Sequence, residues 1–183
     1  MSRRLLITLN ARLRPLDRGD RYEDPLQEVL KAKMPGCVID GGGTLLTAER
    51  EPASSDIDLT VAGDAAAALT LVIGTLEAAG APQGSKAQLD DAEPVFFGVT
   101  EGLGVYLNGT DLPAEVYQAN DINDLVGAVI EAIGDEGDLQ SYWEGPAETA
   151  LYLYGGSAAR MIDLLAGLPG RFPLAERWRL VPL

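Results

Sequence analysis

The stretch Asn120-Asp121-Ile122-Asn123-Asp124-Leu125-Val126-Gly127-Ala128-Val129-Ile130-Glu131-Ala132-Ile133-Gly134 places Ile122, Leu125, Val126, Val129, Ile130 and Ile133 at i, i+3, i+4, i+7, i+8 and i+11. That spacing predicts an amphipathic helix with one core face, capped by Asn120 or Asp121 and ended by Gly134. Outward from it, β-rich runs occupy residues 102–108 before the helix and 138–144 and 149–154 after it. A second helix follows Ser157, carries Met161, Ile162, Leu164 and Leu165 inward, and stops at residues 167–170; residues 177–181 read as a last strand. The order is β-α-β-β-α-β.

Residues 1–91 show the same order. Strand patterns occur at 5–13, 37–47 and 56–62, with a weaker one at 85–89. The first intervening helix has Asp24 as cap, Pro25 at its start and Gln27 completing a capping box, ahead of Leu26, Val29 and Leu30, and Pro35-Gly36 ends it. The second follows Asp64, turns Leu69, Val72 and Leu76 inward and exits at Gly80. The halves share detail as well, Leu9-Asn10 answering Leu107-Asn108. The expectation is an α+β chain of two tandem ferredoxin-like (βαββαβ) repeats with antiparallel sheets, residues 1–91 and 92–183, joined at Asp90-Asp91-Ala92-Glu93-Pro94.

In such a repeat the helices cover one sheet face. Alternation turns Ile57, Leu59 and Val61 to the helices and Asp56, Asp58 and Thr60 away. In the second half Leu151 and Leu153 face the helices, which leaves Tyr152 and Tyr154 on the other face with Tyr106 and Tyr142 from neighbouring strands. Trp143, with Leu139 and Ser141, is expected toward the helices, and Tyr142 and Glu144 outward. Four tyrosines on one face make a binding surface, or a packing surface between sheets or in a homodimer.

The chain has 183 residues, 14 basic against 28 acidic, no histidine and one cysteine. A net charge of −14 argues against nucleic-acid binding, which needs a basic footprint. Without histidine there is no His general base and no His metal ligand. Cys37 alone supports neither a disulfide nor a Cys-cluster metal site and reads as a core residue. The amino-terminal apolar run stops at Leu9 before Arg12 and Arg14, and the longest apolar stretch, 65–81, includes Glu77, so neither an export signal nor a membrane span is expected. A cytoplasmic location follows as the expectation.

The charge is localised. Residues 87–159 hold fourteen Asp and Glu and no Lys or Arg, while the remainder of the chain balances. Such a segment projects a negative field that steers basic partners. Motifs for chemistry are sparse. Gly43-Thr44 followed by Asp56-Ile57-Asp58 has the outline of a metal-dependent nucleotidyltransferase, with two carboxylates on one strand face and a third expected from Asp90 or Asp91, but no cation except Arg50 lies near Gly43 in sequence. Gly41-Gly42-Gly43 fits no phosphate-loop pattern and reads as a turn or bulge, and Asp135-Glu136-Gly137-Asp138 lacks calcium-loop periodicity. No cofactor and no metal are expected.

The runs 104–113, 121–125, 134–137, 141–146 and 148–152, together with 80–86, resemble a group of small acidic bacterial proteins that includes immunity partners of secreted toxins. The resemblance implies a non-enzymatic protein that occupies a basic partner, and it assigns no binding residues. Combined with the charge map, it gives Tyr142, Glu144, Asp121, Asp124, Asp135 and Glu136, with Tyr106, Tyr152 and Tyr154, as candidate partner-binding residues. The alternatives are a nucleotidyltransferase-like enzyme using Asp56 and Asp58, and a small-ligand sensor built from paired ferredoxin-like domains.

Overall fold

In a computed structural model that describes residues 2–183, β1 (Ser2–Leu9) leads into a helical stretch made of α1 (Pro15–Arg18), a π-helical turn (Gly19–Glu23) and α2 (Asp24–Lys33). There follow β2 (Val38–Leu46), β3 (Pro52–Ala62), α3 (Ala65–Ala78), β4 (Ser85–Leu89) and β5 (Val95–Phe97). The sheet order is β2-β3-β1-β4-β5, with every pairing antiparallel. The first four strands therefore have ferredoxin-like order, and β5 extends the β4 edge. Leu5, Ile7, Leu9, Ile57, Leu59 and Val61 are buried, as are Leu26 and Leu30 of α2 and Ala68, Val72 and Leu76 of α3. The period-2 and helical apolar patterns thus converge on one core.

Two local expectations are corrected in this unit. Asp24 is no cap, because the helical backbone runs on from Pro15 and leaves no exposed N-terminus at that point; Gln27 instead accepts a hydrogen bond from the Ile39 N–H at 3.2 Å. Asp64 does cap, accepting from the N–H groups of Ala66 and Ala67. The chain divides into Met1–Thr100 and Glu101–Leu183, not at residue 91, because residues 95–97 pair with β4 and belong to the first unit.

Asp90 closes β4 with a positive φ of 50° and accepts hydrogen bonds from Arg3 Nε at 2.7 Å and the Arg4 N–H at 2.8 Å. The Arg3 hydrogen bond first, then the Arg4 amide, hold its carboxyl below the usual range. A depressed folded-state pKa contributes stability that is present above the unfolded value and is lost as pH falls through the folded one. Asp90→Asn keeps a side chain that tolerates positive φ but loses the charge. The variant is expected to denature at lower urea than the wild type near about pH 7, the two converging as pH falls through the titration of the folded Asp90 carboxyl. A difference that persists undiminished in acid would assign it to something other than ionisation.

The second unit comprises β6 (Glu101–Asn108), α4 (Ala114–Ala119), α5 (Ile122–Ile133), a 3-10 turn (Gly134–Glu136), β7 (Gly137–Glu144), β8 (Glu148–Gly155), α6 (Ala158–Leu165), a 3-10 turn (Pro173–Ala175) and β9 (Arg179–Pro182). Its order, β7-β8-β6-β9, is antiparallel throughout and repeats the ferredoxin-like arrangement. The chain is therefore an α+β protein of two tandem ferredoxin-like repeats. Leu103, Val105, Leu107, Leu151 and Leu153 of the sheet pack with Leu125, Val129 and Ile133 of α5 and with Met161 and Leu165 of α6. Asp121 caps α5 through the Asn123 N–H, and Ser157 caps α6 through the Arg160 N–H. No helix among the described residues is long and apolar enough to cross a membrane.

A bulge at Gln140 reverses the second half of β7. Leu139 lies opposite Leu153, but Ser141 lies opposite Tyr152, Tyr142 opposite Leu151 and Trp143 opposite Ala150. One extra residue shifts the alternation, so Tyr142 packs on the helix-side core and Trp143 and Ser141 take the other face, the reverse of the expectation.

Candidate functional site

The tyrosine face is not an exposed surface. Tyr152, Tyr154 and Tyr106 are buried. Strand glycines make room for two of the rings: a Cβ on Gly102 would stand 2.9 Å from Tyr154 Cε1, and one on Gly104 would stand 2.7 Å from Tyr106 Cε2. The aromatic rings thus cover backbone that the glycines leave bare. Arg179 stacks 4.5 Å from the Tyr106 ring centroid and donates to both carboxylate oxygens of Glu148, at 2.9 and 2.7 Å.

The second unit does form a site on the helix side, at the sheet end where β6 and β7 finish and β8 begins. Glu144 lies opposite Thr149, which in turn lies opposite Leu107, so the three share one row. Above this row stand α4 and the start of α5. The Asn108 side chain accepts from the N–H groups of Thr110 and Asp111, at 3.0 and 2.8 Å, which turns the chain sharply out of β6. The Tyr117 hydroxyl donates to the Asn108 carbonyl at 3.3 Å and accepts from the Leu112 N–H at 3.0 Å, pinning α4 to that turn. Asn120 holds the α4 to α5 link by donating to the Val116 carbonyl at 2.8 Å. These elements border an open cavity of about 710 Å³ lined also by Leu174 and by Asp121. A smaller cavity of about 160 Å³ shares Asn120, Asp121 and Leu174 with it and adds Asp124 and Arg171.

Among the described residues, the charged side chains lining the larger cavity are Asp121 and Glu144. Asp121 spends one carboxylate oxygen on the cap and on Asn123 Nδ2, at 2.8 and 2.9 Å. Neither carboxylate forms an ion pair among the described residues, whereas nearby Glu148 is neutralised by Arg179. The chemistry available is recognition of a cation with an apolar body, by two carboxylates, the Tyr117 ring and the aliphatic side chains of Leu107 and Leu174.

Of the residues expected from sequence, the fold brings together Asp121, Glu144 and, next door, Asp124. Asp135 and Glu136 lie beyond the far end of α5, whose twelve residues span about 18 Å. Tyr117 and Leu174 do not stand out by pattern, and Asn108 does so only as the counterpart of Asn10. The one available signal was an aromatic residue close before the Asp121 cap, and recognising it required seeing α4 as a helix.

In the first unit Asp56 and Asp58 share a sheet face as expected. Arg4 engages Asp58 through Nε at 2.6 Å and Nη2 at 2.9 Å, and this contact, with smaller contributions from Asp40 and Asp56, raises the Arg4 pKa. Asp90, the expected third carboxylate, is held by Arg3. Asp56 Oδ1 is buried without a hydrogen-bond partner. Gly41-Gly42-Gly43 lies inside β2 just after a bulge at Asp40, and it is Arg18 that reaches the Gly43 carbonyl, at 2.8 Å. No group of three or more potential metal ligands occurs among the described residues, so the carboxylate triad that the nucleotidyltransferase alternative needs is not assembled.

No protein-family model matches the sequence, and no curated protein matches it. Among solved structures, the chain is similar to an unknown protein from Galdieria sulphuraria, at 12% identity over 100% of this chain and 99% of that one, with a TM-score of 0.34. It is also similar to the regulatory subunit of aspartate kinase from Thermus flavus, at 15% identity over 94% of each chain, with a TM-score of 0.29. At these values neither likeness bears on function.

Proposed function

We propose that the protein is a non-catalytic binding protein whose second unit takes a small organic amine in the cavity at Asp121 and Glu144. One observation carries this reading: among the described residues, the charged groups lining a cavity of about 710 Å³ are two carboxylates, and neither forms an ion pair. Its volume lies in the range of small-molecule sites, roughly 300–1,000 Å³. Isothermal titration with 1,4-diaminobutane and with spermidine tests it, with expected dissociation constants between roughly 10 µM and 1 mM. Glu144→Gln and Asp121→Asn should each weaken binding about tenfold or more, the loss of one charge-assisted hydrogen bond. Asparagine at 121 keeps the helix cap, so the effect is separable from folding. Absence of binding, or variants that bind as tightly as the wild type, overturns the reading.

A basic protein partner, the kind that the sequence resemblance implies, is the second reading. It is favoured by the run of residues 87–159 without Lys or Arg.

A further inference from the structure

α5 buries Leu125, Val129 and Ile133 but leaves Ile122 41% and Ile130 51% exposed, with half-buried Val126 between them. The three stand at i, i+4 and i+8, a second apolar stripe at the solvent edge of a helix whose core face is already satisfied. Gly127, three residues before Ile130 and so beside it on the helix surface, would carry a Cβ into open space. The stripe therefore borders bare backbone. The charged residues of α5, Asp124 and Glu131, are exposed, and Asp121 and Asp135 flank its ends.

We infer that this edge of α5 is the docking face for a basic amphipathic helix of a protein partner. A stripe with i/i+4/i+8 spacing beside an open glycine offers another helix an apolar seat at close approach. The acidic rim selects which helix: Lys and Arg flanking the partner's apolar stripe would meet Asp124 and Glu131 along the solvent flank and Asp121 and Asp135 at the two ends. The same rim argues against a second copy of this chain, which would set Asp124 and Glu131 against like charges. Ile122, Asp121 and Asp124 border the cavities, but the inference does not rest on the amine reading, since Gly127 and Glu131, which the test changes, lie outside both.

The test is fluorescence anisotropy with a labelled synthetic helix carrying leucine at i, i+4 and i+8 and lysine elsewhere. A peptide of identical composition with the leucines scrambled is the control. The ordered peptide should bind at low salt and weaken steeply as salt rises. Gly127→Gln places a side chain on the bare patch, keeps a good helix former there and meets no neighbour, so the protein should stay folded while affinity falls about tenfold or more. Glu131→Lys should weaken the peptide further without touching the cavity. No binding by the wild-type protein, equal binding of the scrambled peptide, or unchanged affinity in Gly127→Gln each overturns the inference. Self-association of the wild-type protein that Gly127→Gln abolishes would assign the face to a second copy and likewise overturn it.

Discussion

Gly98→Ala is expected to destabilise the first unit by about 3 kcal/mol or more, the sum of a backbone term and a steric one. Gly98 has φ 115°, outside the region that L side chains adopt. A Cβ there would lie 1.9 Å from the Pro82 carbonyl oxygen and 2.7 Å from the Gln83 nitrogen, both backbone atoms with no rotamer to change. Nor can the segment drift away. The Gly98 N–H donates to Glu77 at 3.0 Å, the Val99 N–H to the Ala81 carbonyl at 2.8 Å and the Gln83 N–H to the Thr100 carbonyl at 2.8 Å, so 98–100 and 81–83 are stitched together on both sides. Urea denaturation followed by far-UV circular dichroism measures the loss. Gly74→Ala, in α3 of the same unit with open space around it, is the control and should stabilise by about 0.5–1 kcal/mol. A loss at Gly98 under about 1 kcal/mol would mean that the two segments separate more easily than these contacts imply.

Leu153→Ala should cost about 2–5 kcal/mol in the second unit. Leu153 is fully buried on the helix face of β8, opposite both Leu103 and Leu139, in the middle of three adjacent strands. A cavity at that place can be relieved only by moving neighbours that are themselves in strand register. Both tryptophans of the chain, Trp143 and Trp178, belong to this unit, and Trp178 packs against the same core, so intrinsic fluorescence reads the transition directly. Ile130→Ala, on the exposed edge of α5, is the comparison and should change stability by no more than about 0.5 kcal/mol. Equal losses at the two positions would contradict the assignment of Leu153 to the core.

Much of the site lies on elements that the sequence placed well, yet its shape did not follow from them. Asp121 was legible as a cap because a cap is set by its neighbours two and three residues on. Glu144 was legible as a strand-end carboxylate, but alternation turned it away from the helices, where the bulge at Gln140 puts it on their side. A single inserted residue leaves no mark in an apolar pattern already broken by Gln, Ser and Tyr. Alternation puts the tyrosines on the face away from the helices and leaves open whether they bind or pack, because it says which way a side chain points and not what lies over it. The glycines that receive the rings of Tyr154 and Tyr106, Gly102 and Gly104, show their role only once the strands are paired. In α5 the periodicity gathered six apolar residues into one face, whereas the core accepts Leu125, Val129 and Ile133 fully and leaves Ile122 and Ile130 in solvent.

What the sequence by itself determined is the β-α-β-β-α-β order of the core elements, its duplication into two ferredoxin-like repeats, the caps at Asp64, Asp121 and Ser157, and the concentration of negative charge in residues 87–159. All of these depend on interactions within a few residues or on counting. What only the tertiary structure decided is the place of β5 in the first unit, the register of β7, the burial of the tyrosines and the meeting of Asp121 with Glu144 around one cavity. Those depend on which backbone lies across from which, and residues far apart in the chain settle that through hydrogen-bond pairing and packing that no local pattern encodes.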